Sequence, residues 1–182
     1  MNTMPSLIYL ILSFIQFIIM LRFLCQACSV NYYNPVTQSI VRISNFILKP
    51  FDIIGLHLNS YILFLLLYLF TFVKIYIPLI VNNQFYPTSD ISIVSLAYLI
   101  KDIINIYWYL VIISAVKSWF NVFVNHPIFS LIDELCKPLY DIVRNYIPDL
   151  SGIDFSPIII LFVLQLIEII FIPRIFNLTS LI

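Results

Sequence analysis

The sequence predicts an all-α polytopic membrane protein, with four transmembrane helices in two similar halves and a cytoplasmic amphipathic helical connection in each half. Three observations lead there. The 182 residues are 62% hydrophobic and only 10% charged, with mean hydropathy +1.04, which is more apolar than a soluble core of this size requires. Four apolar runs reach the roughly 20 residues that a helix needs to cross a bilayer. Between the first and second runs, and again between the third and fourth, stands a proline-bounded polar connection whose apolar residues recur at helical spacing.

The first run, about 7–30, lacks a basic leader and a small-residue cleavage site, so it reads as a retained span. Arg22 lies in its last third, where a long side chain can snorkel to the interface. In the connection 31–58, Val36, Ile40, Ile43 and Ile47 form one face and Gln38, Arg42, Asn45 and Lys49 the other. Asn34-Pro35 marks the start of that helix. Lys49-Pro50 marks its expected end, because proline removes a donor and disfavours helix in the preceding residue. The second span is expected at about 61–80, since its apolar content outweighs the cost of Lys74.

The run 91–124 is too long for one crossing, and the third span is placed at about 96–120, with Lys101-Asp102 near one edge. In the connection 125–156, His126-Pro127 opens an amphipathic helix, Lys137-Pro138 is expected to stop it, and a second short amphipathic piece closes at Pro148. Gly152-Ile153-Asp154-Phe155-Ser156-Pro157 then starts the fourth span, about 157–176. Ser156 is read as accepting from free helix N–H groups, and Pro157 suits the first helical position. A fainter copy of this turn runs from Gly55 to Ser60, which divides the chain into units 1–90 and 91–182. Arg22, Arg42, Lys49, Lys117, Lys137 and Arg144 lie at or near the connections, so the positive-inside rule puts these in the cytoplasm and both termini outside.

Leu21-Arg22, Tyr33-Asn34-Pro35, Lys49-Pro50, Lys101, Ser118-Trp119, Lys137-Pro138-Leu139 and above all Gly152, Asp154, Ser156 and Pro157 resemble the signature of the YggT family of small integral membrane proteins. In the first unit the stretch 49–55 is shorter and less basic than that pattern. The resemblance implies a multi-pass inner-membrane or plastid protein. Bacterial relatives are tied to osmotic stress, potassium handling, division or nucleoid placement, and chloroplast relatives to haem attachment in cytochrome b–f assembly. It supplies no catalytic residues.

Candidate chemistry is sparse. Cys25 and Cys28 have the spacing of a redox or metal pair, but Ser29 stands where covalent haem attachment needs histidine, and packing against another helix is the simpler reading. His57 and His126 lie at the same ends of spans, as haem ligands would, yet two interfacial histidines need no such role. Glu168 and Lys74 reach similar depths in the fourth and second spans. They form either a locking ion pair or a proton or cation site. Asp154 with Ser156 reads as a cap and turn, and the sequon at Asn177 as a chance match.

With no phosphate loop, metal cluster or activated nucleophile, neither an enzyme nor a cofactor is expected. The expected role is a scaffold or assembly factor of the inner membrane. The alternative is a channel or transporter component linked to osmotic or potassium balance. Partners are the lipid bilayer and other membrane proteins, with a homo-oligomer left open. Nine basic and nine acidic residues leave no field to attract nucleic acid.

Overall fold

Apolar runs without glycine, and with proline only near their ends, form helices wherever the backbone has no water to bond to. A computed structural model describes residues 3–53, 58–120, 126–146 and 154–177 of the chain. They fold as α1 (Thr3–Ala27), α2 (Pro35–Ile53), α3 (Ser60–Val81), α4 (Thr88–Phe120), α5 (Pro127–Tyr146) and α6 (Ser156–Leu166). A π-helical turn, Ile167–Phe171, then continues into α7, Ile172–Phe176. No strand occurs among the described residues. Gly55, His57, Pro148, Gly152 and the rest of the sequon after Asn177 lie outside them.

By length and composition four segments are fit to cross a membrane: Leu7–Ala27, Ser60–Val81, Thr88–Ser118 and Ser156–Ile175. Their outward faces carry Leu10, Phe14, Leu65, Phe162 and Ile169, all exposed, as lipid-facing residues are. α3 packs against both α1 and α4, and α4 packs against α6. α2 and α5 pack on each other and against the bundle, α2 on α1 and α5 on α4 and α6. Ile19, Met20, Leu24, Leu48, Leu63, Leu67, Leu99 and Leu135 form one core. Ile104, Val111, Ile132, Cys136, Tyr140, Ile160 and Leu164 form the other. With two glycines in the chain, close helix approach falls to Ser44, Ser95, Ala97, Ser114 and Ala115, all buried.

Four boundaries differ from the expected ones. α1 ends at Ala27, not near residue 30, because the chain turns there: Val30 N–H bonds to the Cys25 carbonyl and Ser29 N–H to that of Gln26, with Ser29 at φ 53°. α2 runs through Pro50 to Ile53, and α5 runs through Pro138 to Tyr146 as one helix instead of two. A proline removes one N–H and crowds the preceding turn, but surrounding packing can hold the helix across it. α4 starts at Thr88, so the expected division at 90/91 falls in its first turn, and its 33 residues span about 50 Å, beyond the hydrocarbon core. Lys101 and Asp102, expected near an edge, consequently stand close to its middle.

The helix starts of α2 and α5 are alike. Asn34 Oδ1 accepts the Val36 N–H at 2.9 Å, and His126 Nδ1 accepts that of Ile128 at 3.3 Å, each ahead of a first-turn proline. Asn34 Nδ2 also donates to the Pro127 carbonyl at 2.7 Å, which joins the two starts.

Candidate functional site

Each of the four spans carries polar residues near its midpoint, and packing brings them together. Gln16 of α1 is 2% exposed and Thr71 of α3 fully buried. The Gln16 amide donates to Thr71 Oγ1 at 3.0 Å and to Asp102 Oδ2 of α4 at 3.1 Å. Its Oε1 accepts from Lys74 Nζ of α3 at 2.7 Å. Lys74 Nζ also lies 3.8 Å from Asp102 Oδ2 and 5.2 Å from the centre of the Tyr9 ring. Thr71 completes the chain by donating to the Leu67 carbonyl at 2.9 Å. Three helices are thus tied at mid-depth by one network, and none of these atoms is left without a partner. That is the condition for such groups to be tolerated in hydrocarbon.

Lys74 and Glu168 are not paired with each other. Glu168 Oε1 stands 3.3 Å from Lys101 Nζ, while Lys74 takes Asp102. The reason is geometric. α4 lies between α3 and α6, and residues 101 and 102, about 100° apart around the helix, reach opposite neighbours. Glu168 sits in the π-helical turn, five residues before Pro173. A π turn re-spaces the carbonyls that such a proline leaves without a donor. The Lys101–Glu168 pair opens onto a groove of about 480 Å³ that Gln165, Ile169, Ile172 and Pro173 also line.

Away from the mid-depth network, two further pairs clamp the amphipathic helices. Lys117 at the end of α4 bonds Asp133 of α5, and Arg144 at the end of α5 bonds Asp154 just before α6. Asp154 Oδ1 also accepts the Ser156 N–H at 2.8 Å, so Asp154 makes the turn and Ser156 is already the first helical residue, with Pro157 behind it. Burial works to raise the Asp154 pKa, but bonds from Ser156 and Arg144 outweigh it and hold the carboxyl below its ordinary range. Glu134 of α5 accepts the Asn31 N–H at 2.6 Å, beyond the α1 turn. Of the signature residues, Asn34, Pro35, Asp154, Ser156 and Pro157 therefore build helix starts. Lys137 and Pro138 lie exposed within α5.

The cysteines are free. Cys28 Sγ lies 3.3 Å from the Tyr107 hydroxyl, and burial pushes the Cys136 thiol up to about 12. His126 serves as the α5 cap. No three His, Cys, Asp or Glu side chains gather as a metal site among the described residues.

Sequence reasoning found the depth of Lys74 and Glu168 but missed Gln16, Thr71 and Asp102. The available signal was that all four apolar runs carry a polar residue near the centre. A helical membrane protein whose spans are cross-tied at mid-depth is the class that fold and site define. The CCB3/YggT family model matches residues 93–175. An uncharacterised Haemophilus influenzae protein is 31% identical over 151 residues, covering 81% of this chain and 79% of that one. The uncharacterised protein YggT of Escherichia coli K12 is 28% identical over 170 residues, 92% and 88% of the two chains. A Pseudomonas aeruginosa protein, also uncharacterised, is 28% identical over 173 residues, 90% and 85%. The chain belongs to the YggT family. No solved structure matches it.

Proposed function

We propose that the chain is a non-enzymatic scaffold or assembly factor of the inner membrane. The observation that carries this is the closed polar network of Gln16, Thr71, Lys74 and Asp102. Its groups spend their hydrogen-bonding capacity on one another, so they hold the helices in one arrangement and leave no string of free polar sites for a solute to follow. What this rigid frame presents is the pair of helices α2 and α5. Phe46 and Ile43 of α2, and Ile142 and Tyr146 of α5, are exposed there beside Arg42 and Lys137. Such a mixed apolar and basic surface suits the membrane-proximal face of another protein.

Photo-crosslinkers at Arg42 and Lys137 in intact membranes test it. Discrete protein partners, retained when the positions are moved by one turn on the same face, are expected; bulk lipid and random neighbours alone would overturn the reading. A transport role is favoured by one separate observation, the open groove beside Lys101 and Glu168. Ion flux through purified protein in liposomes, lost in Glu168→Gln, would establish that reading over the first.

A further inference from the structure

Arg22 differs from the other cations among the described residues. Lys74, Lys101, Lys117 and Arg144 each have a carboxylate partner, and Arg42, Lys49, Lys137 and Arg174 are exposed to solvent or headgroups. Arg22 alone is half-buried without an acid. Its Nε is buried and makes no hydrogen bond.

The same holds for the hydroxyl of Thr37 across the gap on α2, a residue only 3% exposed whose Oγ1 has no partner. Both residues line one pocket of about 270 Å³ between the end of α1 and α2. Gln26, Ser29 and Tyr32 add amide and hydroxyl groups to its wall, while Val30 and Val41 add an apolar flank. The buried Arg22 Nε and Thr37 Oγ1 find no partner within the protein, a cost that a group entering the pocket would relieve. Water would satisfy the hydroxyl but leave the guanidinium charge without a counterion. The Glu134 carboxylate bonds the Asn31 N–H and the Ser130 hydroxyl and forms no ion pair with Arg22.

We infer that this pocket is a binding site for a phosphate-bearing anion, held by the Arg22 guanidinium and the Thr37 hydroxyl, with Gln26, Ser29 and Tyr32 completing its shell. An arginine fork matches two oxygens of one phosphate, which a lysine would not. The level is that of headgroups, because Arg22 is just over one turn from the end of an apolar span. The inference is independent of the scaffold reading.

Native mass spectrometry of the full chain in detergent tests it, with phosphatidylglycerol, phosphatidylcholine and inorganic phosphate as probes. Saturable phosphatidylglycerol binding is expected, at least tenfold weaker in Arg22→Gln and several-fold weaker in Thr37→Val, and unchanged in Arg174→Gln, an exposed cation away from the pocket. Phosphatidylglycerol binding well above phosphatidylcholine assigns the site to an anionic lipid. Saturable binding of inorganic phosphate with the same mutant pattern assigns it to a soluble anion. Thr37→Val is close to isosteric, so it reports even where Arg22→Gln folds poorly. Binding of every probe that is equal in wild type and Thr37→Val, or absent from wild type, overturns the site.

Discussion

Lys74 and Asp102 form a pair whose two members depend on each other. Their side chains are 11% and 34% exposed, and Asp102 has Gln16 as its other partner. Lys74→Met leaves a carboxylate facing hydrocarbon with one neutral donor, and breaking such a pair costs about 3 kcal/mol. Lys74→Met with Asp102→Asn removes both charges and is expected to recover most of that loss. Thermal unfolding of Lys74→Met, Asp102→Asn and the double variant in detergent checks it: a double-variant loss equal to the sum of the two single losses would show that the two charges are not coupled. Asp154 gives a second prediction, outside the bilayer. Its folded pKa lies below 3.8, so its contribution to stability is fully present above that value and is lost as pH falls through the folded value. In Asp154→Asn the acid limb of the unfolding curve should flatten, while Glu134→Gln, tied to Asn31, serves as the control for carboxylates elsewhere.

Helix ends follow from local chemistry in a chain that has almost no glycine. α1 and α3 close with the same pair of backbone bonds, Val30 to Cys25 with Ser29 to Gln26, and Gln84 to Leu79 with Asn83 to Ile80. Ser29 and Asn83 take positive φ at 53° and 54°, where glycine is the usual residue. Asparagine visits this region readily and serine does not. Ser29→Gly is therefore expected to stabilise the protein by roughly 0.5–1 kcal/mol, and Asn83→Gly by less. A denaturant series on both variants measures the difference, and equal shifts would refute the ranking. These ends also explain what was legible beforehand. Apolar runs and one-sided periodicity identified each helix, and Asn34, Pro35 and Pro157 marked true starts. Lys49-Pro50 and Lys137-Pro138 failed as stops, because whether proline ends a helix depends on what packs around it. Gln16, Thr71 and Asp102 were missed for a related reason: a sequence gives depth along a helix, but not which neighbour a side chain faces.

At the scale of the whole molecule, α2 and α5 pack on each other, so they occupy one end of the bundle, and the turn of Asn82 to Pro87 between α3 and α4 occupies the other. The bases Arg42, Lys49, Lys137 and Arg144 stand at the first end, while that turn carries no charged residue. Retention of basic segments during insertion then favours α2 and α5 in the cytoplasm. Single cysteines in a Cys28→Ser background test this, since Cys28 is the one native thiol that is not buried. Cys25 and Cys136 are buried, Cys28 is engaged with Tyr107, and the Cys136 thiol, at about 12, holds almost no thiolate at neutral pH. Cysteines at exposed Phe46 and Tyr146 should react with a membrane-impermeant maleimide only after the inner membrane is opened. One at Phe85, in the opposite turn and also exposed, should react in intact spheroplasts. The reverse pattern would invert the molecule and place the proposed partner surface outside the cell. Labelling of all three positions without opening the membrane would mean that the four apolar helices do not separate two compartments.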